Sequence, residues 1–136
     1  MSVDFVDNSG KIKMILEQAT LSGLEEAAAE VMSQAVQNTP VDTGQLKGAW
    51  KYFVDENKFE ATIGNTLENA IWTEYGTGEY ALENNGRKTP WRYKDAKGKW
   101  HSTTGKRPIR MLFNAFSTKK NIVKQIVSRH LKDNLN

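Results

Sequence analysis

Pro40 divides this 136-residue chain more firmly than any other residue. Proline disfavours the helical region for the residue before it, so a helix arriving from the N-terminal side stops near Asn38. Ahead of that stop, Ile12, Ile15, Leu16 and Ala19 recur at helical spacing, and the pattern resumes at Leu24, Ala27, Ala28, Val31, Met32, Ala35 and Val36. Between the two runs Ser22, Gly23 and Glu26 mark a kink or a fresh start, and Ser22-x-x-Glu25 has the spacing of a capping box. This part of the chain therefore predicts either one long bent helix or two in tandem. Beyond the stop, Asp42 and Thr43 can bond backbone amides just downstream, and Gly44 can take the positive φ that leaves a tight turn.

From Ala49 the apolar period shortens to two. Trp50, Tyr52 and Val54 alternate with Lys51, Phe53 and Asp55; Glu56-Asn57-Lys58 reads as a turn; Phe59, Ala61 and Ile63 alternate with Glu60 and Thr62. The pattern predicts a hairpin. Asn69 to Tyr75 predicts a short helix presenting Ile71, Trp72 and Tyr75 to the core, closed by Gly76, with Thr77 and Gly78 as a flexible exit. A second hairpin is predicted from Trp91–Lys94 through Asp95-Ala96-Lys97-Gly98 to Lys99–Ser102. A four-residue turn there sets Tyr93 opposite Trp100 and clusters Lys94, Lys97 and Lys99 at the tip. Its polar, glycine-containing flanks, Asn84-Asn85-Gly86 and Thr103-Thr104-Gly105, mark an arm standing away from the body.

Pro108 suits the first position of a last helix running towards Leu131. Met111, Leu112, Ala115 and Phe116 make one apolar stripe of it; Ile122, Val123, Ile126, Val127 and Leu131 make another, with Ser117-Thr118 as a bend or restart between them. The expected fold is α+β in a single domain of residues 1–136. A long N-terminal helix and a C-terminal helix pack on a small antiparallel sheet, and residues 77–105 form an extended, flexible hairpin arm.

Candidate chemistry is scarce. His101 and His130 stand apart, neither with a cysteine or second histidine at metal-ligand spacing. Gly76-Thr77-Gly78 lacks the further glycine and the strand-to-helix setting of a phosphate loop. Glu25, Glu26 and Glu30 lie on one helix and could pair as carboxylates, though solvated helix charge accounts for them as well. No serine has an adjacent base or an elbow motif. No catalytic residue, metal site or cofactor is expected. The chain has no apolar run of 18 residues and no basic-then-apolar start, so neither a membrane span nor a signal peptide is expected. Its lack of cysteine excludes a disulfide scaffold and fits synthesis in a reducing cytoplasm.

Charge is distributed unevenly. Residues 1–86 carry 5 Lys and Arg against 14 Asp and Glu, whereas residues 87–136 carry 14 against 2. Three uses of this polarity are open. The two parts can neutralise each other within one fold. The acidic part of one subunit can face the basic part of the next, a head-to-tail contact that closes into a ring when the rotation allows. A basic surface can lie beside DNA. The last possibility has a specific form: Trp91, Tyr93 and Trp100, interleaved with Arg92, Lys94, Lys97 and Lys99, admit a nucleic-acid-binding module that stacks bases and neutralises phosphates.

Three stretches together resemble one family. They are Thr39-Pro40-Val41-Asp42-Thr43-Gly44 followed by Leu46, Trp72-Thr73-Glu74-Tyr75-Gly76-Thr77, and Arg107-Pro108 ahead of an apolar helix. In this order they resemble the tail-completion, or head–tail joining, proteins of long-tailed bacteriophages, minor components of the tail or neck. The resemblance runs from Glu25 to Leu131. It departs from the family at Ile109-Arg110, where members commonly read Phe-Leu after Arg-Pro, and in a longer stretch from Glu83 to Thr104. It implies a structural virion protein or prophage product that assembles in the host bacterial cytoplasm. Such a protein forms a ring, hexameric when assembled, that closes the head-proximal end of the tail tube. Its implied partners are other copies of itself, the tail tube protein and the head-completion or connector protein, with DNA passing nearby without specific binding and no membrane. Pro40, Asp42, Thr43, Gly44, Glu74, Tyr75, Gly76 and Pro108 are then architectural. Arg92, Lys94, Lys97 and Lys99 are candidate interface residues. Arg107 and Arg110 either reach a neighbouring subunit's acidic surface or serve to start the last helix.

Overall fold

Small residues at every fourth position form the contact line of the fold: Ala19, Gly23, Ala27, Val31 and Ala35 are all buried. They lie on a single helix, α1 (Ser9–Asn38), in a computed structural model that describes residues 9–41, 44–95 and 97–135. The helix is 30 residues long, about 45 Å at 1.5 Å per residue. The helix runs through Ser22 and Gly23 without a restart, so it is one helix and not two in tandem; in mid-helix there is no free end for Ser22 and Glu25 to cap. Gly23 instead serves a lateral contact. A Cβ there would sit 3.2 Å from the Val127 Cα of the last helix, α4 (Met111–Leu135), which runs antiparallel along the small-residue line.

The two long helices also join the acidic and basic parts of the chain. Lys119 on α4 reaches Glu30 on α1 at 2.7 Å, and Arg129 and His130 both meet the Glu26 carboxylate. Hydrogen bonds from His130 and then Arg129 hold Glu26 below the usual carboxylate range. Part of the charge asymmetry is therefore neutralised within one subunit.

After the Pro40 break come a single turn of helix, α2 (Gln45–Gly48), and the antiparallel hairpin β1 (Trp50–Asp55) and β2 (Glu60–Asn65), with Asp55 opposite Glu60 and Trp50 opposite Asn65. Phe59 is not the first strand residue that its alternation predicts; it closes a four-residue turn at φ +53. The Asp55 side chain takes the amides of Asn57 and Lys58, which tightens the turn and delays the strand by one residue. Helix α1 covers one face of this sheet, while α4 lies chiefly on α1. All meet in one cluster: Val31 and Ala35 of α1, Trp50 of β1, Met111 and Ala115 of α4, and Ala70 of a short helix α3 (Asn69–Tyr75). Within it the Trp50 indole N–H donates to the Thr39 hydroxyl at 2.7 Å, which donates to the Ala35 carbonyl at 2.6 Å. Thr39 thus satisfies an end carbonyl of α1 and anchors the sheet to it.

A 3-10 turn (Gly78–Tyr80) leads to a second, separate hairpin of β3 (Trp91–Lys94) and β4 (Trp100–Thr103). Its register differs from the expected one by a residue: Tyr93 opposes His101, on which it stacks at 5.3 Å, and Lys94 opposes Trp100. Asp95 causes the shift. Its N–H donates to the Lys99 carbonyl, its Oδ1 accepts the Lys97 and Lys99 amides, and its Oδ2 meets the His101 ring at 2.7 Å. Gly98 completes the connection at φ +83, the left-handed residue of a bulged hairpin. Hydrogen bonds from His101 and from the Lys99 amide hold the Asp95 carboxylate below its ordinary range.

Candidate functional site

Helix α4 begins with a capping problem. Its first residue is Met111, and Arg110 precedes it at φ +59, accepting the Asn114 amide as an N-cap residue does. An arginine side chain has no acceptor, so the next orphan amides need an oxygen from elsewhere. Glu74 supplies both: Oε2 accepts the Leu112 amide at 2.8 Å and Oε1 the Phe113 amide at 3.0 Å. This carboxylate comes from α3, is 9% exposed, and sits at the positive end of the α4 dipole. The Arg110 Nε approaches Glu74 Oε1 at 3.5 Å.

The same clamp places α4's start three residues after Pro108, rather than at it. Ile109 donates its amide to the Thr73 carbonyl at 2.8 Å and stays outside the helix. Pro108 lies against Gly76, where any Cβ would come within 2.9 Å of the proline ring and of two carbonyl oxygens. Gly76 itself takes φ +80 and ends α3 through its amide bond to the Trp72 carbonyl at 2.8 Å.

With Ala70, Thr73 and Glu74 turned inward, the rest of α3 faces out. Ile71 is 63% exposed, Trp72 56% and Tyr75 42%, contrary to the expectation that these three enter the core. Across a groove of about 300 Å³ stand Phe113 and Phe116 of α4, 56% and 48% exposed. Phe116, assigned by periodicity to the buried stripe, is therefore on this outer wall; Met111 and Ala115 fill the core instead. The Arg110 guanidinium lies between the Phe113 ring at 4.5 Å and the Tyr75 ring at 5.3 Å. Trp72 lies outside this groove, and the four large apolar side chains that line it beside one cation, Ile71, Tyr75, Phe113 and Phe116, make a surface of the composition found at protein interfaces.

The other sequence candidates fall into three places. Pro40 is half-buried behind Thr39, and Gly44 takes φ +79 as it leads into α2; Asp42 and Thr43 lie outside the described residues. At the arm's base, backbones cross too closely for side chains. A Cβ at Gly78 would lie 2.1 Å from the Thr104 carbonyl, one at Gly86 2.1 Å from the Gly78 carbonyl, and one at Gly105 2.1 Å from the Thr77 carbonyl. Thr77 and Glu79 donate their amides to Lys106 and Thr104 across this crossing. Arg107 leans over the Tyr80 ring at 4.6 Å, away from the groove that holds Arg110. The third place is the arm tip, where Arg92, Lys94, Lys97 and Lys99 are exposed; among the described residues none of the four makes an ion pair. Arg92 covers the Trp100 ring at 5.5 Å and Arg87 the Trp91 ring at 5.8 Å, so the arm's aromatic faces are partly occupied by its own cations. Sequence reasoning missed Ile71, Trp72, Phe113 and Phe116 as surface residues, and Asp95 as the organiser of the tip. Only the placement of Asp95 ahead of a Gly98 turn was a readable signal.

Among the described residues no helix is long and apolar enough to cross a membrane. Glu74 fastens α3 to α4 while aromatic side chains of both helices stay exposed, an arrangement that fits a structural component acting by contact. The sequence matches, over residues 4–76, the family described as "Bacteriophage HK97-gp10, putative tail-component". That span is more than half of the chain and includes Pro40, Gly44, Glu74 and Gly76; the chain belongs to this HK97-gp10-like family of phage tail-associated structural components. Membership places it among virion components and gives no support to the nucleic-acid-binding reading of the arm. No curated protein and no solved structure matches the chain.

Proposed function

We propose that this chain completes the tail of a bacteriophage or prophage particle by forming a ring, hexameric when assembled, at the head-proximal end of the tail tube. There it joins the tube to the head-completion or connector protein. The observation that carries the proposal is the exposed groove wall of Ile71, Tyr75, Phe113 and Phe116 on a chain of a phage tail family. A single free subunit leaves that wall in water, whereas a neighbouring copy buries it. The chain acts as one domain, assembled in the host cytoplasm, without catalysis, cofactor or membrane. Residues 77–105 act as an arm that settles on its partner late. An arm that orders only on docking keeps subunits from polymerising before the tail tube offers a template. DNA passes through the ring without specific contacts.

Light-scattering mass measurement tests this, with the protein free and with purified tail tubes. The native chain is expected to form a closed ring, at the latest on tubes. Phe113→Ser with Phe116→Ser is expected to abolish the ring at nearly unchanged thermal stability, because central aromatic side chains each contribute about 2 kcal/mol or more to an interface. Complete, infectious particles made without this chain would refute the proposal.

A further inference from the structure

The acidic residues of α1 are not used alike. Glu26 and Glu30 face basic partners on α4, whereas Glu25, the third of the group, accepts only the neutral Tyr52 hydroxyl, at 2.8 Å, among the described residues. Glu25 stands at a groove of about 520 Å³ lined by Gln18, Leu21 and Ser22 of α1, by the consecutive Tyr52, Phe53 and Val54 of β1, and by Glu56. Consecutive strand residues with nothing from β2 mean that the groove runs along the outer edge of β1. The sheet has only two strands, so that edge carries backbone groups with no strand partner among the described residues. An unpaired edge is a template for an added strand.

The molecule also presents a counterpart. The β3–β4 arm has its own unpaired edges, and its tip carries Arg92, Lys94, Lys97 and Lys99 against one carboxylate, Asp95, already engaged by His101 and the turn amides. Tyr93 and Trp100 are exposed on it, as Phe53 is on the groove. Charge, apolar surface and open strand edges therefore match between two parts of the same chain. Complementary surfaces at different places on one subunit give a head-to-tail contact, which propagates around a ring.

We propose that the β3–β4 arm of one copy docks along the free β1 edge of a neighbouring copy, with Lys94, Lys97 and Lys99 facing Glu25 and Glu56. This rests on the ring reading above and names a second contact that holds the ring, apart from the aromatic groove. Electrostatic complementarity fixes register and speeds encounter, so the contact weakens as salt rises.

Because the chain contains no cysteine, disulfide trapping tests the docking cleanly. Two double variants serve, Lys97→Cys with Glu56→Cys and Lys94→Cys with Glu25→Cys, each examined as purified protein and in assembled tails. Disulfides form only where Cα atoms come within about 7 Å. Inter-chain bands from either pair, and from mixtures of the matching single variants but from neither single variant alone, are the expected result. No inter-chain band from either pair, in either setting, overturns the proposal. The triple variant Lys94→Glu, Lys97→Glu, Lys99→Glu is expected to weaken self-association about tenfold, as loss of three rim cations implies. Rings that form undiminished in that variant overturn the docking while leaving the ring reading intact. Arm cross-links retained in Phe113→Ser with Phe116→Ser, where closed rings are lost, would separate the two contacts and would support the docking. Untrapped arms that shift duplex DNA at about 50 mM salt would assign the tip to nucleic acid and overturn the proposal.

Discussion

Glu74 gives the sharpest test of how this fold is held. Replacing it with alanine strips the first turn of α4 of both acceptors, at Leu112 and Phe113, and removes the nearest anion from Arg110. A buried donor left without a partner costs about 1–3 kcal/mol, and loss of an N-cap about 0.5–2 kcal/mol. Leu112 is half-buried and Phe113 exposed, so water recovers part of the loss. The expected cost is about 2–3 kcal/mol, a fall in Tm of roughly 6–12 °C for a chain of this size. The two amides are taken by different oxygens of one carboxylate, which makes reach as important as charge. Glu74→Gln keeps one acceptor and is expected to lose about half as much. Glu74→Asp keeps the charge but is one methylene too short, and is expected to behave like alanine. Urea denaturation at constant m-value measures all three. If Glu74→Ala costs less than about 0.5 kcal/mol, the range of an ordinary surface substitution, the tertiary cap is not what fixes α4. If aspartate rescues and glutamine does not, field rather than hydrogen bonding holds the helix start.

Thr39→Val keeps the side-chain shape while orphaning the Trp50 indole N–H, and is expected to cost about 1–3 kcal/mol by denaturant titration. Two glycines should respond differently to alanine. Gly44 has φ +79 but open space around its absent Cβ, so Gly44→Ala costs only the left-handed backbone penalty, about 1–2 kcal/mol. Gly78→Ala also drives a Cβ onto the Thr104 carbonyl and is expected to open the arm's base, read as faster amide exchange at Thr77 and Glu79. At the tip, the lowered pKa of Asp95 means that its stabilisation is fully present above the ordinary carboxylate range and is lost as pH falls through the lowered value. Exchange of the Lys97 and Lys99 amides, corrected for intrinsic rates, should accelerate in that acid window, and Asp95→Asn should abolish the acid step.

The order of elements was legible because it rests on local signals. The Pro40 stop, the period-two run from Trp50 and the apolar spacing beyond Met111 each depend on neighbours in sequence. What was not legible depends on partners distant in sequence. Periodicity marks Ile71, Trp72 and Tyr75 as one apolar group, and apolar groups ordinarily turn inward. Here the orphan amides of α4 draw Glu74 inward instead, and a helix of this length cannot bury both faces. Pro108 carries a valid helix-start signal, yet the bond from Ile109 to Thr73, 36 positions away, keeps the chain out of the helix until Met111. The register of the arm turned on one side chain: Asp95 takes two loop amides, which a count of turn residues does not reveal. Gly23 looked like a helix break because glycine lowers helix propensity, but its missing Cβ answers to Val127 on another helix.

Helix α3 shows why the inward polar and outward aromatic residues belong to one design. Seven residues are too few for a helix to persist alone in water, so its existence depends on what it is fastened to. Ala70, Thr73, Glu74 and Gly76 do that fastening, to the core, to Ile109, to the α4 amides and to Pro108. Ile71, Trp72 and Tyr75 are then only partly buried by the fold, and each leaves apolar surface in water. Under the proposed ring, a contact at the groove spans both its sides, Ile71 and Tyr75 of α3 on one and Phe113 and Phe116 of α4 on the other. Those sides are tied directly by the Glu74 clamp, alongside the Thr73–Ile109 bond and the packing of Ala70 on Met111. The clamp is thus what converts two exposed apolar strips into one preformed surface, and preformed surfaces lose less entropy on binding. That gives a physical reason for the motif to place its glutamate between aromatic residues: the residue that closes the fold also sets the spacing of the surface proposed to assemble.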